Sequence, residues 1–224
     1  MMNHKIVLGS GSPRREELLT LLNVPFSVIL PLNEVDETPL KNEVPSQLVQ
    51  RLSRAKAKAV LPALVNKMDG FETCIIITAD TIVALNNIIF GKPKTTDEAF
   101  SMLKQLRDRP HHVYSAITVG CITTGQSTVK WITKLHQNDV QMRNYSDDEI
   151  WAYIDTGDPL DKAGAYGIQH EAFAPVDSFE GCFASIMGLP LGELIPILRQ
   201  FGVPVNKTSG LYHKLSSIYD CCQI

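Results

Sequence analysis

The sequence has no long hydrophobic run. No stretch approaches the roughly 20 apolar residues that span a bilayer, and Met1-Met2-Asn3-His4-Lys5 does not lead into the apolar segment of a signal peptide. A cytoplasmic protein without membrane partners is expected. A cysteine framework is missing too: Cys74, Cys121, Cys182, Cys221 and Cys222 are odd in number, scattered, and contain no C-x-x-C pair, which excludes a disulfide scaffold or a thiolate zinc site. The final Cys221-Cys222-Gln223-Ile224 superficially fits a prenylation box, but Gln223 stands where an aliphatic residue is usual and no polybasic segment precedes it. Nor is there an excess of charge. With 21 basic and 24 acidic residues and a net charge of −3, the chain is not built around a nucleic-acid surface. No Gly-Lys-Ser/Thr follows a glycine loop, so there is no P-loop. No Ser-His-Asp or Cys-His arrangement is evident, and water is the expected attacker in any hydrolysis.

What is present, in 224 residues of which 44% are hydrophobic, is the composition of an ordinary globular protein with room for a substantial core. Its organising stretch is Ile6-Val7-Leu8-Gly9-Ser10-Gly11-Ser12-Pro13-Arg14-Arg15. A short apolar strand passes through small residues into a helix, with Ser12 as N-cap and Pro13 at the first helical position. The free N–H groups of a helix start, joined by the Arg14 and Arg15 guanidinium forks, suit phosphate. A plain strand–helix junction with two solvated arginines is the other reading of such a loop.

Further along, a second strand is expected over 26–30, then an acidic loop with Glu34, Asp36 and Glu37, then a helix over 45–61. In that helix Lys56 shares the apolar stripe of Leu48, Leu52 and Val60, so it points inward unless it snorkels. The run 74–85 is the most strand-like in the chain, and Asp80 interrupts its apolar pattern. A buried carboxylate must be paired, metal-bound or at a cleft. Asn86-Asn87 turns the chain into 88–90, and Gly91-Lys92-Pro93 ends that return. Thr95 with Glu98 and Ser146 with Glu149 form capping boxes for two more helices. Strands are expected over 113–123 and 128–135, with 138–142 continuing or adding one, and over 182–187. His111 and His112 read as surface residues at a turn, without the partners of a metal site. The stretch Asp158-Pro159-Leu160-Asp161-Lys162-Ala163-Gly164-Ala165-Tyr166-Gly167-Ile168-Gln169 has the mix of glycines, charge, aromatic and amide found in functional loops. Gly188-Leu189-Pro190 leads into a last helix that Gly202 stops. One α/β domain over 1–202 with two lobes, followed by a 203–224 tail of little pattern, is the expected organisation.

The inward-facing candidates are Ser10, Ser12, Arg14, Arg15, Lys56, Lys92 and Lys162 for phosphate, with Glu37 and Asp80 as carboxylates. Several cations with few acids suit a polyphosphate, and carboxylates beside phosphates usually hold Mg²⁺.

Five segments, Ser10-Gly11-Ser12-Pro13-Arg14-Arg15, Ala79-Asp80-Thr81-Ile82-Val83, Gly91-Lys92-Pro93, the stretch from Asp161 to Gln169, and Gly188-Leu189-Pro190-Leu191, resemble in order the signatures of the Maf family of nucleoside triphosphate pyrophosphatases. The resemblance covers about 5–201. It implies an α/β fold with a long mixed, twisted sheet flanked by helices and two lobes around a central cleft, similar to the inosine triphosphate pyrophosphatases and commonly a homodimer. It implies hydrolysis of a nucleoside triphosphate to monophosphate and pyrophosphate with a divalent cation, Mg²⁺ or Mn²⁺. By position, Arg14, Arg15, Lys56, Lys92 and Lys162 would hold the triphosphate, Glu37 and Asp80 the metal, and Asp80 would orient or deprotonate water. Arg15, Thr81 and Gln169 match the subgroup preferring dTTP, UTP and modified pyrimidine triphosphates, and the Gln169 amide suits a thymine or uracil edge. The chain departs from the family at His170, over 171–176, and at Phe183-Ala184-Ser185. A nucleotide-binding regulator of cell division with little turnover is the alternative function.

Overall fold

A computed structural model describes residues 3–64, 70–126 and 128–205. The expected 203–224 tail lies outside them from 206 onward. Seven strands form one mixed sheet in the order β2-β1-β3-β5-β6-β7, with β4 paired to β3. The strands are β1 (His4–Leu8), β2 (Ser27–Val28), β3 (Thr73–Leu85), β4 (Ile88–Phe90), β5 (Pro110–Thr123), β6 (Val129–Met142) and β7 (Val176–Glu180). The helices are α1 (Pro13–Thr20), α2 (Pro45–Val60), α3 (Thr96–Leu106), α4 (Asp147–Ile154), α5 (Phe183–Met187) and α6 (Leu191–Gln200). The fold is α/β, as expected.

The chain divides into two compact units. The first comprises the described parts of Met1–Asp80, Ser115–His136 and Cys182–Ile224; the second comprises Thr81–Tyr114 and Gln137–Gly181.

In the first unit β1 pairs in parallel with β2 on one side and with β3 on the other. Parallel strands are buried on both faces and read as continuous apolar runs; Val7, Leu8, Ile75, Ile76 and Ile77 are fully buried. Val7, Ile29, Val60, Leu64, Cys74 and Ile76 make one cluster, flanked by Trp131. The buried Thr78 of β3 is satisfied by a chain of hydroxyls. Thr78 Oγ1 donates to the Ser53 carbonyl at 2.8 Å, Ser53 Oγ meets Thr118 Oγ1 at 2.8 Å, and Thr118 Oγ1 meets Thr133 Oγ1 at 3.0 Å. Gly120 has no side chain because the Trp131 ring occupies the place of its Cβ.

In the second unit β3 turns at Asn86 and Asn87, with φ of 50° and 65°, into the antiparallel β4, the geometry of a tight hairpin turn. Helices α3 and α4 pack together. Helix α4 carries the full expected capping box: Glu149 N–H donates to Ser146 Oγ at 3.2 Å and Ser146 N–H to the Glu149 carboxylate at 2.7 Å. At α3 only half of the box forms, since the Glu98 carboxylate accepts from Lys94 N–H at 2.7 Å.

Four expectations are corrected. Residues 183–187 form helix α5, not a strand: a short apolar run has no periodicity to separate the two, and Gly188, at φ 113°, closes it as a left-handed C-cap. His111 is buried inside β5 and is not a surface turn residue. The second strand contracts to Ser27–Val28. Ser12 occupies the N-cap of α1 by backbone geometry, but its side chain makes no cap hydrogen bond. Residues 129–142 are one strand, and β7 was not expected at all.

Candidate functional site

In the first unit, β1 delivers the chain to the glycine-serine corner. Gly9 N–H donates to the Ile77 carbonyl at 2.8 Å, extending the β1–β3 ladder to the last possible residue. A Cβ on Gly9 would come within 2.7 Å of both Thr78 and Val60 side chains, so packing alone requires glycine there. Ser12 N–H donates to Ser10 Oγ at 3.3 Å, and α1 starts with Pro13. Arg15, one turn into α1, donates from Nη1 to Ser10 Oγ at 3.2 Å and from Nε to the Gly188 carbonyl at 2.9 Å. The Gly-Leu-Pro signature thus has a function: the left-handed Gly188 aims its carbonyl at Arg15. Burial pushes the Arg15 guanidinium below its ordinary pKa, and the nearby Asp80 charge opposes that shift.

Asp80 is buried within β3. The Lys56 ammonium donates to Asp80 Oδ1 at 2.6 Å and lies 2.6 Å from Glu37 Oε1. The i, i+4 spacing of the α2 stripe therefore turns Lys56 inward, and its cation lies between two carboxylates. Burial raises the Asp80 pKa above the usual carboxylate range, while the Lys56 and Arg15 charges counteract it. Arg14 is half-buried beside Arg15.

An ammonium and a divalent cation ask for the same thing, oxygen atoms converging on one point, so Glu37 and Asp80 fit the ligand chemistry of Mg²⁺ or Mn²⁺. Among the described residues no third His, Cys, Asp or Glu joins them. Two carboxylates with the remaining positions left to water and phosphate oxygen is the habit of Mg²⁺ sites.

In the second unit, Thr81 follows Asp80 on β3 and is half-buried. Lys92 is exposed after β4, and the preceding Gly91 carbonyl accepts from Gly164 N–H at 3.0 Å. Gly164 and Ala165 take φ of 69° and 60°; a Cβ on Gly164 would press on Val83 at 3.0 Å. Lys162 is buried, and its ammonium donates at 2.7 Å to each of three oxygens: the Asp158 carbonyl, Asp158 Oδ1 and Asp161 Oδ1. Gln169 is exposed, and Gly167 sits between it and Lys162: a Cβ there would lie 2.8 Å from Lys162 Cε and 3.3 Å from Gln169 Oε1.

The structure thus gathers Ser10, Arg15, Glu37, Lys56 and Asp80 into one cluster and sets Lys162 with Gln169 in another. Sequence reasoning missed Asp158 and Tyr153, which hold Lys162 and its loop. The position of Asp158, four residues before Lys162, was the available signal.

A parallel-stranded α/β unit with arginines at a helix start and a lysine held between the buried Asp80 and the exposed Glu37 has the makings of a site for phosphorylated ligands. The match to a family model resolves the class further. Residues 5–201 match the model described as Maf-like protein, and the chain belongs to the Maf family. It is 41% identical over 203 residues to a dTTP/UTP pyrophosphatase of Acetivibrio thermocellus, covering 91% of this chain and 98% of that one. It is 42% identical over 200 residues to a protein of the same name from Thermoanaerobacter sp., covering 89% and 98%. A third of that name, from Nitratidesulfovibrio vulgaris, is 38% identical over 199 residues, covering 89% of each chain.

Proposed function

We propose that this protein hydrolyses the α–β phosphoanhydride of nucleoside triphosphates, with dTTP, UTP and modified pyrimidine triphosphates as substrates, giving monophosphate and pyrophosphate. The observation that carries the reading is the Lys56 ammonium held between Glu37 and Asp80, in a unit where Arg15 is fixed by Ser10 and Gly188. Relatives named dTTP/UTP pyrophosphatase at about 40% identity over most of the chain support it.

Glu37 and Asp80 are the residues that would hold a divalent cation. When bound, that cation neutralises phosphate charge and lowers the pKa of water. Arg14, Arg15 and Lys56 hold phosphate oxygens, with Ser10 and Ser12 donating from the corner; Lys92 and Lys162 serve the same ligand. Lys56 takes on a second task, its charge favouring the ionised form of Asp80 against the burial that raises the Asp80 pKa. The ionised Asp80 carboxylate accepts a proton from, or orients, the attacking water. Thr81 and Gln169 contact the nucleoside, where the Gln169 amide pairs with a carbonyl and an N–H of a pyrimidine edge. The protein acts in the cytoplasm as a homodimer, without nucleic-acid or membrane partners. No described helix is long and apolar enough to cross a membrane.

The test is to incubate the protein with Mg²⁺ and a panel of canonical and modified triphosphates and to resolve the products. Monophosphate plus pyrophosphate, fastest from dTTP or UTP, is expected. The same products from purines alone would overturn the role of Gln169. Saturable binding without turnover would overturn the enzymatic reading in favour of a nucleotide-binding regulator.

A further inference from the structure

The segment from 158 to 169 contains a buried lysine, two left-handed residues and an exposed glutamine, yet only short 3₁₀ turns give it regular structure. Contacts from outside the segment fix its shape, and one of them, a single atom, ties its two ends together. Tyr153, on the last turn of α4, is buried. Its hydroxyl donates to Asp158 Oδ2 at 2.6 Å and accepts from Gly167 N–H at 3.0 Å. One oxygen therefore joins the two ends of the loop. At the near end, the other oxygen of the same carboxylate, Asp158 Oδ1, accepts from Lys162 at 2.7 Å, so the tyrosine orients the group that orients the lysine. At the far end, Gly167 is wedged between the Lys162 stem and the Gln169 amide.

The tyrosine ring is itself fixed. Phe173 stacks on it with centroids 4.3 Å apart and planes 15° apart, and His170 meets it edge-on at 4.7 Å. His170 is in turn fixed by the Phe173 N–H, which donates to Nδ1 at 3.0 Å. Two of the residues at which this chain departs from the family after Gln169, His170 and Phe173, thus pack around Tyr153.

We propose that Tyr153 is a positioning residue for the nucleotide: its hydroxyl sets the placement of Lys162 and Gln169 together, coupling phosphate binding to base selection. Its consequence for turnover rests on the pyrophosphatase reading above; its geometry does not. Tyr153→Phe is the cleanest variant, because the stacked ring is kept and only the pivot atom is lost. Two measurements decide. Amide hydrogen exchange of the protein without nucleotide is expected to quicken around Gly167 and across 158–162, with the α4 amides unchanged; exchange identical to the parent protein would overturn the proposal, whatever the activity. In steady-state assays with dTTP, UTP and a purine triphosphate, KM for the pyrimidine is expected to rise about tenfold, roughly the effect of losing a buried hydrogen-bond partner, with kcat within about twofold and a narrowed pyrimidine-to-purine ratio. An equal loss on all bases, or a loss of kcat alone, would overturn the coupling. If the parent protein does not turn over any triphosphate, the pyrophosphatase reading fails by itself, and calorimetric nucleotide affinities replace KM with the same expected outcomes.

Discussion

His111 illustrates how burial turns one side chain into a pH-dependent term. Its Nε2 lies 2.7 Å from the Tyr166 hydroxyl, and burial lowers its pKa from 6.5 to about 4. The unfolded chain takes up a proton near pH 6.5, whereas the folded one resists it until about pH 4. The unfolded state therefore binds more protons across that window, and stability falls as pH is lowered through it, by about 3 kcal/mol at most. Urea unfolding of His111→Gln at pH 7 and pH 4.5 is expected to show a smaller difference between the two pH values than the parent protein does. Asp80 carries a different expectation. Asp80→Asn keeps the shape and the Lys56 contact while removing the base, so turnover should drop by on the order of a hundredfold or more with nucleotide affinity retained; unchanged turnover would remove Asp80 from the chemistry. At this scale the sequence was informative where spacing forces direction, as for Lys56 in the α2 stripe. It was silent where a partner comes from far along the chain: nothing near His111 announces Tyr166, 55 residues on, so a pair of adjacent histidines read as surface.

At the scale of elements, strongly periodic or capped segments were legible. Helices α2, α3 and α4 and the strands β1 and β3 lie where hydrophobic period, proline and cap residues put them. Elements whose identity depends on packing were not. Helix α5 has only five residues, too few for a helical period. Strand β7 has four exposed residues of five, so no alternation marks it; it exists because β6 offers it an antiparallel partner. The β5–β6 pair adds a constraint that composition conceals. Since the Trp131 ring fills the space over Gly120, Gly120→Ala should cost about 1–3 kcal/mol through overpacking. A thermal melt is the check, and an unshifted transition would mean that the tryptophan moves away at no cost.

For the whole molecule, a ligand that binds only the folded chain stabilises it by mass action. At a hundred times its dissociation constant the gain is about 2.7 kcal/mol, which for a chain of this size raises Tm by roughly 5–10 °C. The expected pattern with Asp80→Asn, which spares the ligand, is a larger shift with dTTP or UTP plus Mg²⁺ than with a purine triphosphate; equal shifts would argue against base reading by Gln169. The α/β class was legible at this scale. Two lobes were expected, but the positions at which the chain passes from one unit to the other were not legible, because three strands run through those boundaries without any change in composition.

That division has a bearing on how the gene can be cut. The chain passes from one unit to the other at 80/81, 114/115, 136/137 and 181/182, the first three of them inside β3, near the middle of β5 and within β6. No single scission releases a unit whole, and an insertion or fusion at any of the first three positions interrupts a strand. A polypeptide ending at residue 114 would carry β1 and β3 without the 115–136 portions of their sheet, and one beginning at 115 would hold those portions without β1 and β3. Expressed apart, neither is expected to melt cooperatively. Mixed, they would recover a transition only by reassembling both units at once, which makes the intact chain the smallest heritable piece of this architecture.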